Sequence, residues 1–330
     1  MSILVTIILV IYLISFIKIQ DIIDAFKNIY LSTLFAYFFL SFSGAVVRAY
    51  RYKILIDSPY INLKSLIFVT LIRNLFVDLL PARTGSLSYI YLINVRFNFP
   101  FEIAASTFLM AFFFDLASLF PFLLLSVFFT VPFISELQIV SFSFIFLILI
   151  LAIIIFLSEL LEILSKLFSY FSKRFNLNTR KSISLIHEKL NLIIEDIKKI
   201  KKKGIYTKVF IVSTLIRLFK YTSLYFLLHS ILKFSGYSFF NLNFFKVVMG
   251  ISSADLLAFL LLHGIAGFGT WEAGWTFTFS LLGFERKLAI VSGFTLHLIS
   301  QFYEYLLGII SIIILALPIF SKGRNVNGIE

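Results

Sequence analysis

Cysteine is absent from the 330 residues, which excludes disulfides, thiolate nucleophiles and sulfur-ligated metals. Charge is scarce: Asp, Glu, Lys and Arg make up 14% of the chain, against about one quarter in soluble domains. The four histidines, His187, His229, His263 and His297, show no metal-ligand spacing. There is no Gly-Lys-Ser/Thr phosphate loop, no His-Glu-x-x-His zinc-protease pair and no Asp-x-Asp of the kind sugar-nucleotide enzymes use. No metal or cofactor is therefore expected, and an enzyme is the less favoured class.

What fills the chain instead is apolar. Apolar residues make up 60%, Phe alone numbers 43, and the mean hydropathy is +1.00. Apolar runs long enough to cross a bilayer recur, so the fold class is an all-α polytopic membrane protein. The net charge of +12 would suggest nucleic acid in a soluble protein. Here it follows the positive-inside rule, because residues 158–208 hold twelve Lys and Arg against five Asp and Glu. No nucleic-acid partner is expected.

The first apolar run, Ile3 to Ile17, lacks a basic n-region and a small-residue cleavage site, and is read as a retained span. A second span covers Tyr30 to Val47 and ends in the basic cluster Arg48, Arg51 and Lys53. A segment broken at Pro81–Gly85 follows, with arms Leu66–Leu80 and Leu87–Val95, then an unbroken span over Ile103–Thr130. The order then repeats: a span over Val140–Leu157, the basic loop, a span over Phe210–Leu232, and a segment with arms Phe245–Leu262 and Trp271–Leu282. That second break lies at Gly264–Gly269, and a last span covers Ala289–Phe320.

With loop 158–208 placed in the cytoplasm, the Arg48–Lys53 cluster and the tail carrying Lys322 and Arg324 also fall inside. The near-neutral linker 18–28 and the loop at Glu136 fall outside. The first broken hairpin then starts and ends inside, and the second starts and ends outside. The expected organisation is one integral membrane domain, 1–330, with inverted halves 1–130 and 139–320. Paired Gly/Pro-interrupted segments in such halves point to the binding site. Six full spans plus two re-entrant hairpins satisfy the pattern; ten short crossings would give the same sidedness. The protein is expected in the cytoplasmic (inner) membrane, with loop 158–208 and the C-terminus cytoplasmic.

Within the basic loop, Ile183, Ile186, Leu190, Ile193, Ile197 and Ile200 recur at spacings of three and four. That spacing predicts an amphipathic helix on the inner membrane surface. Lys198–Lys203 holds five lysines in six residues, either topogenic charge or an attraction for anionic lipid.

Ionisable groups inside spans are costly and need a partner or a purpose. Arg73, Asp78 and Arg83 flank the first break; they either bind an anionic group, with Arg83 as the phosphate contact, or pair among themselves. Asp255, His263 and Glu272 surround the second, where Gly267 and Gly269 allow close backbone approach. Trp271 and Trp275, four apart, are expected as interfacial anchors rather than substrate-stacking groups. His297, Gln301 and Glu304 form one polar stripe, either lining a cavity or cross-linking helices, and Arg217 and Lys220 share a face. Asp115 stands alone in its span and is expected as a helix-packing partner.

The stretches LLPARTGSLSYIYL (79–92) and HGIAGFGTWEAGW (263–275) resemble signatures of the lysylphosphatidylglycerol synthase transmembrane family, the flippase-like domain. Val47–Tyr52 and the Asp115 span add context, and the likeness extends over nearly the whole chain in element order. Pro81, Arg83 and Gly85 match the first motif; Gly267, Gly269 and Glu272 match the second. The resemblance departs at Ser86 and Tyr89, where relatives carry Glu and Arg, and at Phe112 and His297, where Arg is common. It implies a stand-alone member, without the synthase, that moves a lipid or lipid-linked headgroup between leaflets. Its expected partners are membrane lipids, anionic phospholipid or lipid-linked glycan, and a lipid- or glycan-modifying enzyme. Expected substrate-contacting residues are Arg73, Asp78, Pro81, Arg83, Gly85, Asp255, His263, Gly267, Gly269, Glu272 and His297. The rival classes are a non-transporting partner of such an enzyme and an intramembrane transferase using Glu272 or Asp255 as base. Neighbouring genes would separate these readings.

Overall fold

The structure, a computed structural model, describes residues 2–130, 133–174, 181–236, 242–258 and 267–317. Within these, the side chains of 2–6, 81–83, 133–140, 142, 143, 173, 181, 182, 234, 257 and 258 are not described. The expected His263 and the glycines before Gly267 lie outside the described residues. So do the side chains of Pro81 and Arg83.

Among the described residues there is no strand. The chain folds as α1 (Ser2–Ile14), α2 (Ile19–Lys27), α3 (Leu31–Ile56) and α4 (Leu63–Leu79), followed by a 3-10 turn, Pro81–Leu87. Next come α5 (Ser88–Tyr91), a π-helical turn (Leu92–Arg96), α6 (Phe101–Ala117), α7 (Leu119–Thr130), α8 (Phe133–Ile155) and α9 (Leu157–Arg174). The rest is α10 (Lys181–Lys202), α11 (Tyr206–Leu232), a 3-10 turn at Lys233–Ser235, α12 (Phe244–Ala258), α13 (Thr270–Leu281) and α14 (Arg286–Ala316).

Four helices are long and apolar enough to cross a bilayer: α3, the run Phe101–Thr130, α11 and α14. A fifth arises if the bent pair Phe144–Ile155 and Leu157–Ser172 is one span. The protein is an all-α integral membrane protein. The expected unbroken span over 103–130 is interrupted at Ser118. There the chain keeps its helical bond, Ser118 N–H to the Phe114 carbonyl at 3.0 Å, and so continues in one direction.

Local sequence explains the first break. α4 is capped by Asn62, whose side chain accepts from the Ser65 N–H at 2.7 Å. It ends at Leu79 because proline bars the residue before it from helical geometry; Leu80 is extended, at φ −95°, ψ 140°. The 3-10 turn then folds back on α4. A Cβ on Gly85 would overlap the Phe76 carbonyl, so this motif glycine is required by backbone approach. At the second break Gly267 and Gly269 take φ of 77° and 84°, values favoured by glycine. Gly269 begins α13, and Glu272 caps it by accepting the Gly269 N–H at 2.8 Å.

α3 lies along α11, where Gly44 approaches Phe219. α4 lies along α14, and α12 lies along α7 and α13. One apolar core gathers around α4, α6 and the end of α3, and a second around α11 to α14. The outer surface carries exposed Phe, Leu and Ile, such as Phe35, Phe39, Phe128, Phe277, Phe302 and Ile313, the surface that lipid covers.

The basic loop is two helices. α9 leaves α8 at 70°, and Leu160, Ile163, Leu164, Leu167, Phe168 and Phe171 form an exposed apolar stripe on it. The stripe expected to meet lipid is on α10, yet Ile193, Ile197 and Ile200 are buried in the core that α6 helps build. α10 therefore rests on protein there, and α9 presents the bare apolar face. Polar contacts tie α10 down: Asp196 bonds Ser106, and Lys189 meets Glu102 at 3.2 Å. Burial pushes the Asp196 carboxyl up, opposed by the Ser106 hydroxyl. At the far end Lys203 pairs with Asp57 at 2.8 Å and holds that carboxyl below its ordinary range.

The α4–α14 seam gives a test. A Cβ on Gly308 would sit 2.5 Å from the Leu75 Cβ, and overpacking costs about 1–3 kcal/mol. Gly308→Leu is expected to lower the detergent melting temperature clearly. Leu306→Ala, on the exposed face, is expected to change stability by roughly 0.5 kcal/mol or less.

Candidate functional site

A cavity of about 500 Å³ lies within the bundle, lined by residues of α3, α4, α6, α11, α12 and α14 together with Ser86, Gly267 and Trp271 from the two broken segments. Its volume falls in the range of small-molecule sites, roughly 300–1,000 Å³. Four cations face it, Arg48, Arg73, Arg217 and Lys220, and four carboxyls, Asp78, Asp115, Asp255 and Glu304.

One wall is built of paired charge. Arg51, fully buried, holds Asp115 through two bonds of 2.6 and 3.1 Å and also reaches Ser213 at 2.8 Å. Arg217 donates to the Asp115 backbone carbonyl at 2.9 Å and to Asp255 at 3.2 Å. Lys220 grips Asp255 at 2.6 and 2.8 Å. This ladder joins α3, α6, α11 and α12. Removing one member strands a charge in low dielectric, at about 3–5 kcal/mol.

A second wall is a hydrogen-bond relay. Glu272, also fully buried, meets the His297 Nδ1 at 2.5 Å. The Gln301 amide donates to the His297 Nε2 at 2.7 Å. With Nε2 accepting, the imidazole carries its proton on Nδ1 and gives it to Glu272. Phe268 and Trp271 flank the ring, with centroids 4.9 and 5.0 Å away. The expectation that Trp271 and Trp275 are interfacial anchors is corrected. Trp271 lines the cavity; Trp275 is fully buried, stacked between Trp271 and Phe279. Its indole N–H is satisfied internally by Ser292 at 3.3 Å, so it needs no headgroup water. Gly293 leaves room for its ring: a Cβ there would lie 2.8 Å from Trp275 Cδ1.

On the third side, Arg48 and Arg73 both donate to the Asn74 side-chain oxygen, at 3.3 and 3.4 Å. The Asp78 and Glu304 carboxyls also line the cavity.

Of the residues expected from sequence, Arg73, Asp78, Asp255, Gly267 and His297 come together at the cavity, and Glu272 backs His297. Gly85 and Gly269 shape the breaks instead of lining the space. The stripe His297–Gln301–Glu304 faces the cavity throughout and cross-links helices as well. Sequence reasoning missed Arg48 and Arg51, taken as topogenic charge, because the second span was ended at Val47. α3 continues to Ile56, and the spacing of three between these arginines puts both on one face, a signal that was available. Asn74 and Tyr37, also on the lining, carried no such signal. Among the described residues no group of three or more His, Asp or Glu could hold a metal.

A family model described as the lysylphosphatidylglycerol synthase TM region matches residues 1–308, and the chain belongs to that family. No curated protein and no solved structure matches the chain.

The ladder makes a stability prediction. Asp115→Asn should destabilise the protein by about 3–5 kcal/mol, because Arg51 keeps its buried charge. The double replacement Arg51→Met with Asp115→Leu should retain most of the parent's stability. Thermal unfolding in detergent reads both; equal losses in the single and double variants would contradict the ladder.

Proposed function

We propose that this member of the lysylphosphatidylglycerol synthase TM region family carries a phospholipid or lipid-linked headgroup between leaflets through the central cavity. Family membership supports a lipid-handling, flippase-like membrane protein. The observation that carries the finer proposal is a cavity of about 500 Å³ with four cations and four carboxyls among its lining residues, within a bundle with an apolar exterior. A headgroup that enters hydrocarbon unaided loses its hydrogen bonds to water, at several kcal/mol per group. Arg48, Arg73, Asn74, Ser300 and Gln301 offer replacement partners while the acyl tails stay in lipid. Around it we place Asp255, Glu272 and His297 as the charge-balancing groups, and Arg83 at the first break as a further phosphate contact.

The topology in this proposal is six full spans and two re-entrant hairpins in inverted halves, 1–130 and 139–320. The swapped packing supports it: α4 of the first half lies on α14 of the second, and α12 of the second lies on α7 of the first. Each hairpin is thereby braced by the other half, leaving the cavity between them. We place the protein in the inner membrane, with α9, α10 and the C-terminus on the cytoplasmic side, where their lysines meet anionic lipid. A lipid- or glycan-modifying enzyme would supply or consume the lipid.

Purified protein in liposomes carrying one labelled leaflet is expected to speed label exchange over protein-free vesicles. Ser300→Phe fills the cavity and should slow exchange about tenfold if it raises the crossing barrier by about 1.4 kcal/mol. Phe302→Leu, on the lipid face at 72% exposure, should exchange like the parent. Equal rates for the parent and Ser300→Phe would remove the cavity from the path.

A further inference from the structure

Cations in the interior of a membrane protein are held by counter-charges or serve a purpose. Arg51, Arg217 and Lys220 each have a carboxylate within 3.2 Å. Arg48 and Arg73 do not. Among the described residues neither guanidinium has a carboxylate partner within ion-pair distance; both converge instead on one neutral acceptor, Asn74. The Nε of each is buried with no hydrogen-bond partner. The nearest engaged acid, Asp115, is bidentate to Arg51, and the other acids on the lining, Asp78 and Glu304, lie outside ion-pair distance of either guanidinium among the described residues. Two like charges thus stand side by side at the cavity surface. The geometry that relieves both is an anion taking one or two N–H donors from each fork.

We propose that Arg48 and Arg73, positioned by Asn74, form a phosphate-binding site on the α3–α4 wall of the cavity. Asn74 holds one N–H of each fork and leaves the remaining donors free. The non-bridging oxygens of a phosphate mono- or diester are spread tetrahedrally and accept from two guanidinium forks that approach from different directions. This assignment rests on the cavity being a headgroup path and adds the group that is recognised there. The same chemistry is offered by a lipid phosphate and by free inorganic phosphate, and the test separates them.

Arg48→Gln and Arg73→Gln keep a hydrogen-bonding side chain and remove the charge. Thermal shift is measured in neutral detergent with short-chain phosphatidic acid, with the matching diacylglycerol, and with inorganic phosphate. Phosphatidic acid is expected to raise the parent's melting temperature, and diacylglycerol to leave it unchanged. Each Gln variant should bind phosphatidic acid about tenfold or more weakly, and Lys64→Gln, an exposed cation, like the parent. Without added lipid, either Gln variant should melt at or above the parent temperature, because one of two like charges that share a single neutral acceptor is gone. That readout shows the variants are folded and runs opposite to a structural role. Inorganic phosphate stabilising as well as phosphatidic acid would keep the site and assign it to the free ion. Undiminished phosphatidic acid binding in both variants, or melting of both well below the parent, would overturn the site. Phosphate binding that depends on these arginines in a protein that moves no lipid would leave the site standing and remove the translocation proposal. Lipid movement indifferent to both arginines and to the phosphate would do the reverse.

Discussion

Carboxylates cannot stand alone in hydrocarbon, and the rest of this protein is arranged around meeting that demand. Asp115 on α6 and Asp255 on α12 are held by Arg51 on α3 and by Arg217 and Lys220 on α11. The four helices come from both ends of the chain, so the ladder fixes long-range neighbours that apolar packing leaves loose. Leu and Phe are as content against lipid as against another helix. Paired charges are not, since each has one partner geometry that satisfies it. Small residues then set how close the helices come: Gly44 lets α3 approach α11, and Gly308 lets α14 approach α4.

A ladder of this kind creates a polar interior as a by-product, and the cavity lies along it. Lys220 and Asp255 face both the ladder and the open space. That wall sets three cations, Arg51, Arg217 and Lys220, against two carboxylates, Asp115 and Asp255, so each of its acids is engaged. Arg48 and Arg73 on the α3–α4 wall add two cations whose shared acceptor is the neutral Asn74. The helices with paired charge therefore hold the frame.

Hydropathy made the spans readable, and Pro81 and the Gly267–Gly269 pair made both breaks readable, since each acts through local backbone sterics. Charge was harder. Arg48 and Arg51 were assigned to the inner face because basic residues near a span end usually are topogenic. The spacing of three puts both on one helical face, but it does not tell that α3 runs nine residues further, to Ile56, with Asp115 64 positions away to meet Arg51. Trp275 was misread for a related reason: tryptophan favours interfaces through its N–H, and the buried Ser292 acceptor that replaces water is a tertiary fact. α9 went unseen because its apolar stripe is diluted by Glu159, Glu162 and Lys166, whereas α10 showed its period clearly and then buried it. Periodicity tells that a helix has two faces; it does not tell which neighbour takes them.

His297 shows how a departure from the family pattern alters the site without altering the frame. The resemblance places an arginine there in many relatives, and an arginine facing Glu272 brings a full positive charge. The imidazole meets the same carboxyl as a neutral donor, with its other nitrogen accepting from Gln301. Phe268 and Trp271 flank it with their rings tilted by 37° and 34°, so the flat imidazole fits between two aromatic side chains. Glu272 still caps α13 through the Gly269 N–H, so the second break keeps its shape. The charge on this wall is that of Glu272 alone, turned away from the cavity and spent on the cap and the ring. Ser86, Phe112 and His297, where the resemblance places a Glu and two Arg, all line the cavity, so this chain carries fewer charges there than the family pattern implies. Among the described residues, Arg48 and Arg73 of α3 and α4 are the lining cations with no carboxylate in ion-pair distance.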